Sequence, residues 1–414
     1  MVQSVLGSLT LGYRPLWNGA RQLAAIQLYV QDLPGSYVDA PHLLRTLQEM
    51  WSASSPPLLI SPQSRQLLLQ LLQQAPRGSP WIEVRGQWLG DSSLLEQVRQ
   101  AYRRGLRLVW RGELSDLPGG DIAACFDNSL LSLSPAEAVG ALQSSASTGQ
   151  RGVRASPILD GQMYENLPTV ALLSLCLDRH RAVAVAGWPS DDVLYSLRHQ
   201  QLQPSHATIF KLMKAIDAEQ SLDSFEHILS EDPLLAYRFL TYTNSAALGL
   251  RTGIDSLRRG LVMLGYGTLQ RWLGDQLPHA STDPNLSPIR QTMVLRAQLM
   301  ERLVEAGIEY ELRREVYLTG LLSQLDTLMD EPIATILRRL PLSERISDAI
   351  VLRSGPYAPA LQIACALETD DASVVRQLCE THEMDTESVN RALLRLLSEL
   401  HVERPRPGQP TGSR

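Results

Sequence analysis

Histidine, cysteine, carboxylate and arginine side chains are the means by which this chain could hold a metal ion, a nucleophile or a phosphate. The eight histidines fall at 42, 180, 199, 206, 227, 279, 382 and 401, and no two of them stand at the i, i+4 spacing of a metal-binding pair. Cys125, Cys176, Cys365 and Cys379 are isolated, with neither a CxxC pair nor a histidine at finger spacing. They read as buried free thiols rather than as a zinc site or a disulfide framework. Glu83 in "PWIEVRG" and Arg111 in "GLRLVWRGE" stand near strand ends, where side chains can reach a ligand. Arg103, Arg104, Arg107 and Arg111 together could hold phosphates bidentately, or simply coat a solvated helix face and strand end. Nucleophile motifs such as G-x-S-x-G, phosphate loops and dinucleotide GxGxxG are absent.

Lysine occurs only at Lys211 and Lys214, so chemistry that needs a lysine amine is impossible in the first half. Residues 1 to 200 carry 16 Arg and 16 acids, leaving 22 bases and 28 acids, and so the whole net charge of -6, to the remainder. That balance, with 44% apolar residues, suits a globular protein and disfavours one relying on overall positive charge to bind nucleic acid. The N-terminal "MVQSVLGSLTLGYRP" has no basic region followed by a long apolar run, and no stretch approaches about 18 uninterrupted apolar residues. A cytoplasmic protein with no membrane role is expected.

The elements that must position these residues change character near residue 200. Before it, "AAIQLYV", "PPLLIS", "PWIEVRG", "LRLVWRG" and "RAVAVAGW" read as strands. "APHLLRTLQEMW", "SRQLLLQLLQQA", "DSSLLEQVRQAYRRG" and "ENLPTVALLSLCLDRH" alternate with them at helical spacing. Strand and helix in alternation predict a parallel sheet, open or closed into a barrel. After it only helices are read. Ser221 or Asp223 caps one of them, and Asp232-Pro233 form an N-cap and N1 pair for the next, on which Leu235, Phe239 and Tyr242 share a stripe. The polar "HQQLQPSHA" marks the boundary, giving an α/β domain over 1–198, an all-helical domain over 199–403 and a Pro- and Gly-rich disordered tail over 404–414.

The second half resembles the HDOD domain, a metal-free relative of the HD-GYP phosphodiesterases of bacterial signalling proteins. The matching residues are Asp232-Pro233, "YRFLTYTNSAALGL" with Asn244-Ser245, Ile254, Ser256, and "LVMLGYGTLQRWL" with Leu264-Gly265. Asn244 and Ser245 at a helix end read as construction, bonding unpaired backbone groups there, with Gly249 supplying a turn. HD-type hydrolases hold metals with an adjacent His-Asp doublet, and this chain has none. Where the resemblance puts it, "GLLSQLD" carries Ser323 and Gln324, and Asp326 alone reads as a surface or cap residue.

An α/β domain ahead of HDOD is similar to a family that joins an EAL cyclic di-GMP phosphodiesterase-like barrel to HDOD. The resemblance puts the signature glutamate of the first strand at Gln27, and an amide is a poor metal ligand beside a carboxylate. Glu83 would be the remnant of a second acidic ligand, although read alone it is a surface glutamate. Arg111-Gly112 stand where paired aspartates are implied. "DIAACFD" matches the strand that should bear a lysine, "RASPILDG" replaces a further glutamate, and "VAVAGWPS" keeps Gly187 without the preceding Gln.

The resemblance therefore implies a degenerate EAL-type, TIM-like barrel, whose short length leaves its closure and strand count open, followed by an all-helical HDOD domain. It implies no catalytic residue, metal or cofactor: a signalling scaffold for an unidentified regulatory protein, or alternatively a sensor that binds a cyclic dinucleotide without hydrolysis. A DNA-binding reading of "SLRRGLVMLGYGTLQRWLGDQL" as two helices about a glycine turn has Arg271 nearly alone as a base in its second helix, where packing better explains Leu269, Trp272 and Leu273. Oligomeric state is not fixed by the sequence.

Overall fold

The computed structural model describes residues 4–32, 38–146, 156–248, 253–304 and 309–402. Gly249 and the tail at 404–414 lie outside the described residues. By contact density the chain divides into two units. One comprises Met1–Asn166, Ser174–Gly187 and Leu394–Arg414, and the other Leu167–Leu173 and Trp188–Leu393.

The first unit is a closed eight-stranded barrel in sequence order, made of β1 (Leu9–Trp17), β2 (Leu23–Asp32), β3 (Leu58–Pro62), β4 (Trp81–Arg85), β5 (Leu108–Glu113), β6 (Asn128–Ser132), β7 (Met163–Glu165) and β8 (Ala184–Ala186). Helices α1 (Ala40–Met50), α2 (Arg65–Gln74), α3 (Ser92–Arg103), α4 (Gly120–Ala123) and α5 (Pro135–Ala146) fall between the strands. The barrel is closed, which settles a point the sequence left open. It closes within a short length because β7 and β8 have only three residues each.

It is also mixed rather than all-parallel, since β1 runs antiparallel to both β2 and β8. The link from β1 to β2 is too short for a crossover helix. Instead Asn18 Oδ1 accepts from the N–H groups of Ala20 and Gln22 at 2.9 and 3.1 Å, and Arg21 takes φ 59° to complete the reversal.

Two further segments differ from the sequence reading. "DIAACFD" holds α4 and a turn, and the strand is the following "NSLLS" of β6. "ENLPTVALLSLCLDRH" does not begin as helix. Its first residue ends β7, Asn166 turns the chain at φ 53°, and helix α6 (Val170–Ser174) starts only beyond Pro168, which disfavours helical backbone in the residue before it.

The second unit is helical, with α7 (Ser190–Leu197), α8 (His206–Asp217), α9 (Leu222–Leu229), α10 (Pro233–Thr243), α11 (Leu257–Gln276), α12 (Leu286–Val304), α13 (Tyr310–Leu322), α14 (Leu325–Met329), α15 (Ile333–Leu337), α16 (Glu344–Ser347), α17 (Ala358–Leu367), α18 (Ala372–Thr381) and α19 (Thr386–Glu399), the last running on into the first unit. Ser221 caps α9 by accepting from Ser224 N. On α10 Leu235 and Phe239 are fully buried, and Phe239 and Tyr242 both meet Trp272 of α11, at ring-centroid distances of 5.6 and 5.7 Å. Leu269, Trp272 and Leu273 are buried, as packing requires. Within α11 Gly265 has φ 68° and ψ 165°, so the segment is two helical runs hinged on a glycine.

Cys125, Cys176 and Cys379 are buried and Cys365 half-buried, all as free thiols, and burial pushes the Cys176 thiol up to about 12. Among the described residues no helix is long and apolar enough to cross a membrane.

Candidate functional site

The barrel interior is built in layers by the two-residue period of its strands. Leu16, Ala25, Leu59, Val109, Leu130, Met163, Ala184 and Ala186 form an apolar plug, with Trp81 packed against it. Two residues further along each strand the same inward face turns polar: Gln27 after Ala25, Ser61 after Leu59, Glu83 after Trp81, Arg111 after Val109, Ser132 after Leu130 and Glu165 after Met163. A polar layer thus sits toward the strands' C-terminal ends, the end at which barrels of this kind carry their sites.

Arg111 is its centre. The guanidinium donates from Nε and Nη2 to the two oxygens of Glu165, at 2.9 Å each, and from Nη1 to Glu83 Oε1 at 3.2 Å. The other Glu83 oxygen accepts from Gln27 Nε2 at 2.7 Å, and Gln27 Oε1 accepts from the Tyr29 hydroxyl at 3.0 Å. Arg14 approaches Glu165 Oε2 at 3.5 Å and Arg85 approaches Glu83 Oε1 at 3.8 Å. The Glu83 side chain is 0% exposed, that of Glu165 6% and that of Arg111 15%, so water screens the network little. Burial acts against the Arg111 charge, but Glu83 and then Glu165 outweigh it, and the guanidinium is held protonated more firmly than an ordinary one.

Glu83 is therefore not a surface glutamate: alternation along β4 turns it inward, where it finds a cation. Glu165 was missed because the implied glutamate was sought in "RASPILDG", upstream of the strand that carries it. Gly112 has a packing role, since a Cβ there would lie 2.6 Å from the ring of Trp110, which points out of the barrel between Gly86 and Gly112. The four arginines do not converge. Arg104 binds the carbonyls of Leu72 and Gln73, Arg107 lies over the Trp81 ring, and of the set only Arg111 joins the interior layer.

As they stand, these residues do not fit a divalent cation. A guanidinium lies between the two carboxylates, and an amide nitrogen donates to one of them where a third acceptor would be needed. Among the described residues no group of three or more His, Cys, Asp or Glu converges as metal ligands.

In the helical unit the singled-out residues are joints. Asp232, fully buried, accepts from Leu235 N at 2.9 Å and from Ser205 N at 2.6 Å, and stands 3.5 Å from the Arg290 guanidinium, so one carboxylate links α8, α10 and α12. Pro233 occupies the first position of α10. Asn244 donates from Nδ2 to the carbonyls of Leu240 and Ile254 at 2.7 and 2.8 Å, and accepts from Ile254 N at 2.7 Å, fastening the end of α10 to the approach of α11. Ser245 continues that turn through its N–H to Tyr242 O. Leu264 is half-buried beside the Gly265 hinge. Ser323 ends α13 with its hydroxyl on Gly320 O, Gln324 precedes α14, and Asp326 is exposed in the first turn of α14.

Beside these joints lies a cleft of about 950 Å³ whose lining includes Tyr195, Arg238, Tyr242, Ser245, Trp272 and Arg339. It offers aromatic faces with charges of both signs, Asp326, Asp330 and Glu331 also reaching it.

Residues 202–329 match the HDOD domain. Every joint from Asp232 to Asp326 falls inside that segment. Over 200 residues the chain is 24% identical to cyclic di-GMP phosphodiesterase CdgJ of Vibrio cholerae serotype O1, a match covering 48% of this chain and 46% of the relative. It is 22% identical, also over 200 residues, to the uncharacterized protein YuxH of Bacillus subtilis, covering 46% of this chain and 47% of that one. The chain thus spans about half the length of the curated relatives it matches. Among solved structures, the MmoQ response regulator of Methylococcus capsulatus strain Bath aligns with a TM-score of 0.37 and 16% identity, over 47% of this chain and 98% of that one. The chain thus has an eight-stranded barrel followed by a segment that matches the HDOD domain.

Proposed function

We propose that this protein is a non-catalytic signalling scaffold, in which a degenerate EAL-type barrel accompanies an HDOD domain and the two offer surfaces to another regulatory protein. The observation that carries the reading is the placement of Arg111 between Glu83 and Glu165. Metal-assisted phosphodiester hydrolysis needs carboxylates free to hold cations that activate water and neutralise the phosphate. Here the two interior carboxylates are engaged by a guanidinium that stands between them, and Gln27 stands where the resemblance implies a third. CdgJ is named for cyclic di-GMP hydrolysis, and the same chemistry would need a different set of residues at this layer. In the helical unit the Ser323-Gln324 pair supplies no metal ligand of the histidine and aspartate type, while the aromatic cleft beside Tyr242 and Trp272 is suited to a polypeptide partner.

The second reading, a sensor that binds a cyclic dinucleotide and leaves it intact, is favoured by one feature: Arg14, Arg85 and Arg111 outnumber the two glutamates of the layer. Titration of the purified full-length chain with cyclic di-GMP and magnesium, with product analysis of the same sample, separates the two. No heat and no product is the scaffold outcome, saturable heat without product is the sensor outcome, and product formed with turnover overturns both.

A further inference from the structure

The cleft beside Tyr242 and Trp272 lies wholly within the helical unit, and its acids and bases are unequally used. Each arginine in its lining is already engaged. Arg339 is bound to Glu331, Arg238 donates to Gln276 Oε1 at 3.1 Å and to the Leu202 carbonyl at 3.3 Å, and Arg198 lies 3.7 Å over the Tyr195 ring. Three of the carboxylates are not. Asp191 on α7 and Asp326 and Asp330 at the two ends of α14 are exposed, and among the described residues they meet no cation. Ser245, also in the lining, has a buried hydroxyl oxygen with no hydrogen-bond partner among the described residues, a standing cost that a donor brought by a ligand would remove. Unmatched carboxylates, an unmet hydroxyl and aromatic faces together suit a guanidinium, which pairs with a carboxylate through two parallel bonds and stacks flat on a ring, where an ammonium is only a point charge. The cleft already holds one guanidinium in this way, that of Arg198. Its volume of about 950 Å³ is that of a site for a whole ligand rather than for a single side chain.

We propose that this cleft docks an arginine-bearing segment of the partner protein, with guanidinium groups on Asp326 and Asp330 and their stems along Tyr242. This deepens the scaffold reading and rests on it: it names the chemistry of the partner. Charge complementarity selects the occupant, since the acids of the cleft are in surplus once its own arginines are matched.

The test uses the full-length chain and two fluorescein-labelled peptides, Gly-Arg-Gly-Arg-Gly-Arg-Gly and its citrulline counterpart, in which an uncharged urea replaces each guanidinium. Fluorescence anisotropy is expected to show saturable binding of the arginine peptide, weakened by salt, and binding of the citrulline peptide weaker by about tenfold or more. Asp326→Asn with Asp330→Asn is expected to weaken the arginine peptide about fivefold with little change in melting, since both residues are exposed and asparagine accepts the φ of 52° at 330. Asp191→Asn is a second variant with the same expected direction. Asp370→Asn with Glu383→Gln removes the same charge at exposed residues outside the cleft, and is expected to bind as wild type does. No saturable binding, equal binding of the citrulline peptide, or equal weakening by the two double variants overturns the proposal, the last by showing attraction to net charge alone. Displacement of the peptide by spermidine at matched charge would overturn it too, assigning the cleft to a small polycation. Each of these failures leaves the scaffold reading standing, whereas turnover of cyclic di-GMP by the wild-type chain would overturn that reading and leave the peptide measurement untouched.

Discussion

Asn244→Ala removes one side chain and three hydrogen bonds, and the structure fixes what each is doing. The two donated bonds, to Leu240 O and Ile254 O, and the one accepted from Ile254 N are all between 2.7 and 2.8 Å. A hydrogen bond of this kind contributes a net stability of about 0.5–1.5 kcal/mol, so three contribute roughly 2–4 kcal/mol. Ile254 is 5% exposed, so its backbone groups cannot readily turn to water, and the loss belongs in the upper part of that range. For a unit of this size about 3 kcal/mol corresponds to a fall in melting temperature of roughly 6–12 °C. The assay is urea unfolding of the full-length variant, with hydrogen exchange read on peptides containing Leu240 and Ile254. The Ile254 amide is expected to lose protection first. Asn244→Asp keeps the acceptor but sets a carboxylate oxygen against the carbonyls of Leu240 and Ile254, and is expected to be at least as destabilising as alanine. A stability change below about 0.5 kcal/mol with Ile254 exchange unaltered would refute the structural role of this side chain. Selective loss of partner binding in a fully stable variant would refute it equally.

Three further changes follow from the same geometry. Gly320→Ala places a Cβ 2.6 Å from the Cα of Ala297, so α12 and α13 must move apart; a loss of about 1–3 kcal/mol is expected in urea unfolding, and an unchanged midpoint contradicts it. Gly265→Ala meets no atom within 4 Å, yet its φ of 68° and ψ of 165° belong to glycine, so about 1–3 kcal/mol is expected from backbone strain alone, and a neutral result contradicts the hinge. For Glu315 burial raises the pKa, but bonds from Arg345, Tyr357 and Ser343 prevail and hold it below its ordinary 4.5. A depressed folded-state pKa means a stabilisation that is present above about 4.5 and lost as pH falls through the lower folded value. Glu315→Gln is accordingly expected to be less stable at neutral pH and to lose less on acidification, and parallel pH profiles for variant and wild type contradict this.

Legibility in the sequence followed how local each determinant is. The Asp232-Pro233 cap, the Ser221 cap, the Asn244 turn and the glycine hinge in α11 act within a few residues, and their residue types announce them. The polar layer does not announce itself, because Arg111 and Glu165 are 54 residues apart and meet only when the barrel closes. Glu83 looked like a surface residue for the same reason: a single charge in a short strand shows its direction only when its neighbours are paired. The missed strands had little signal to give, β7 being three residues long and β1 antiparallel by virtue of a tight turn. The one usable clue was periodic, an apolar residue followed two later by a polar one in "MYE", as in "WIE" and "VWR".

The most direct test of the account is the occupancy of the barrel layer in the wild-type protein, measured as Mn2+ binding by paramagnetic resonance after chelation and re-addition. With Arg111 bound between Glu83 and Glu165, no saturable site dependent on those two residues is predicted. One Mn2+ bound per chain, and lost in the Glu83→Gln, Glu165→Gln variant, would contradict it.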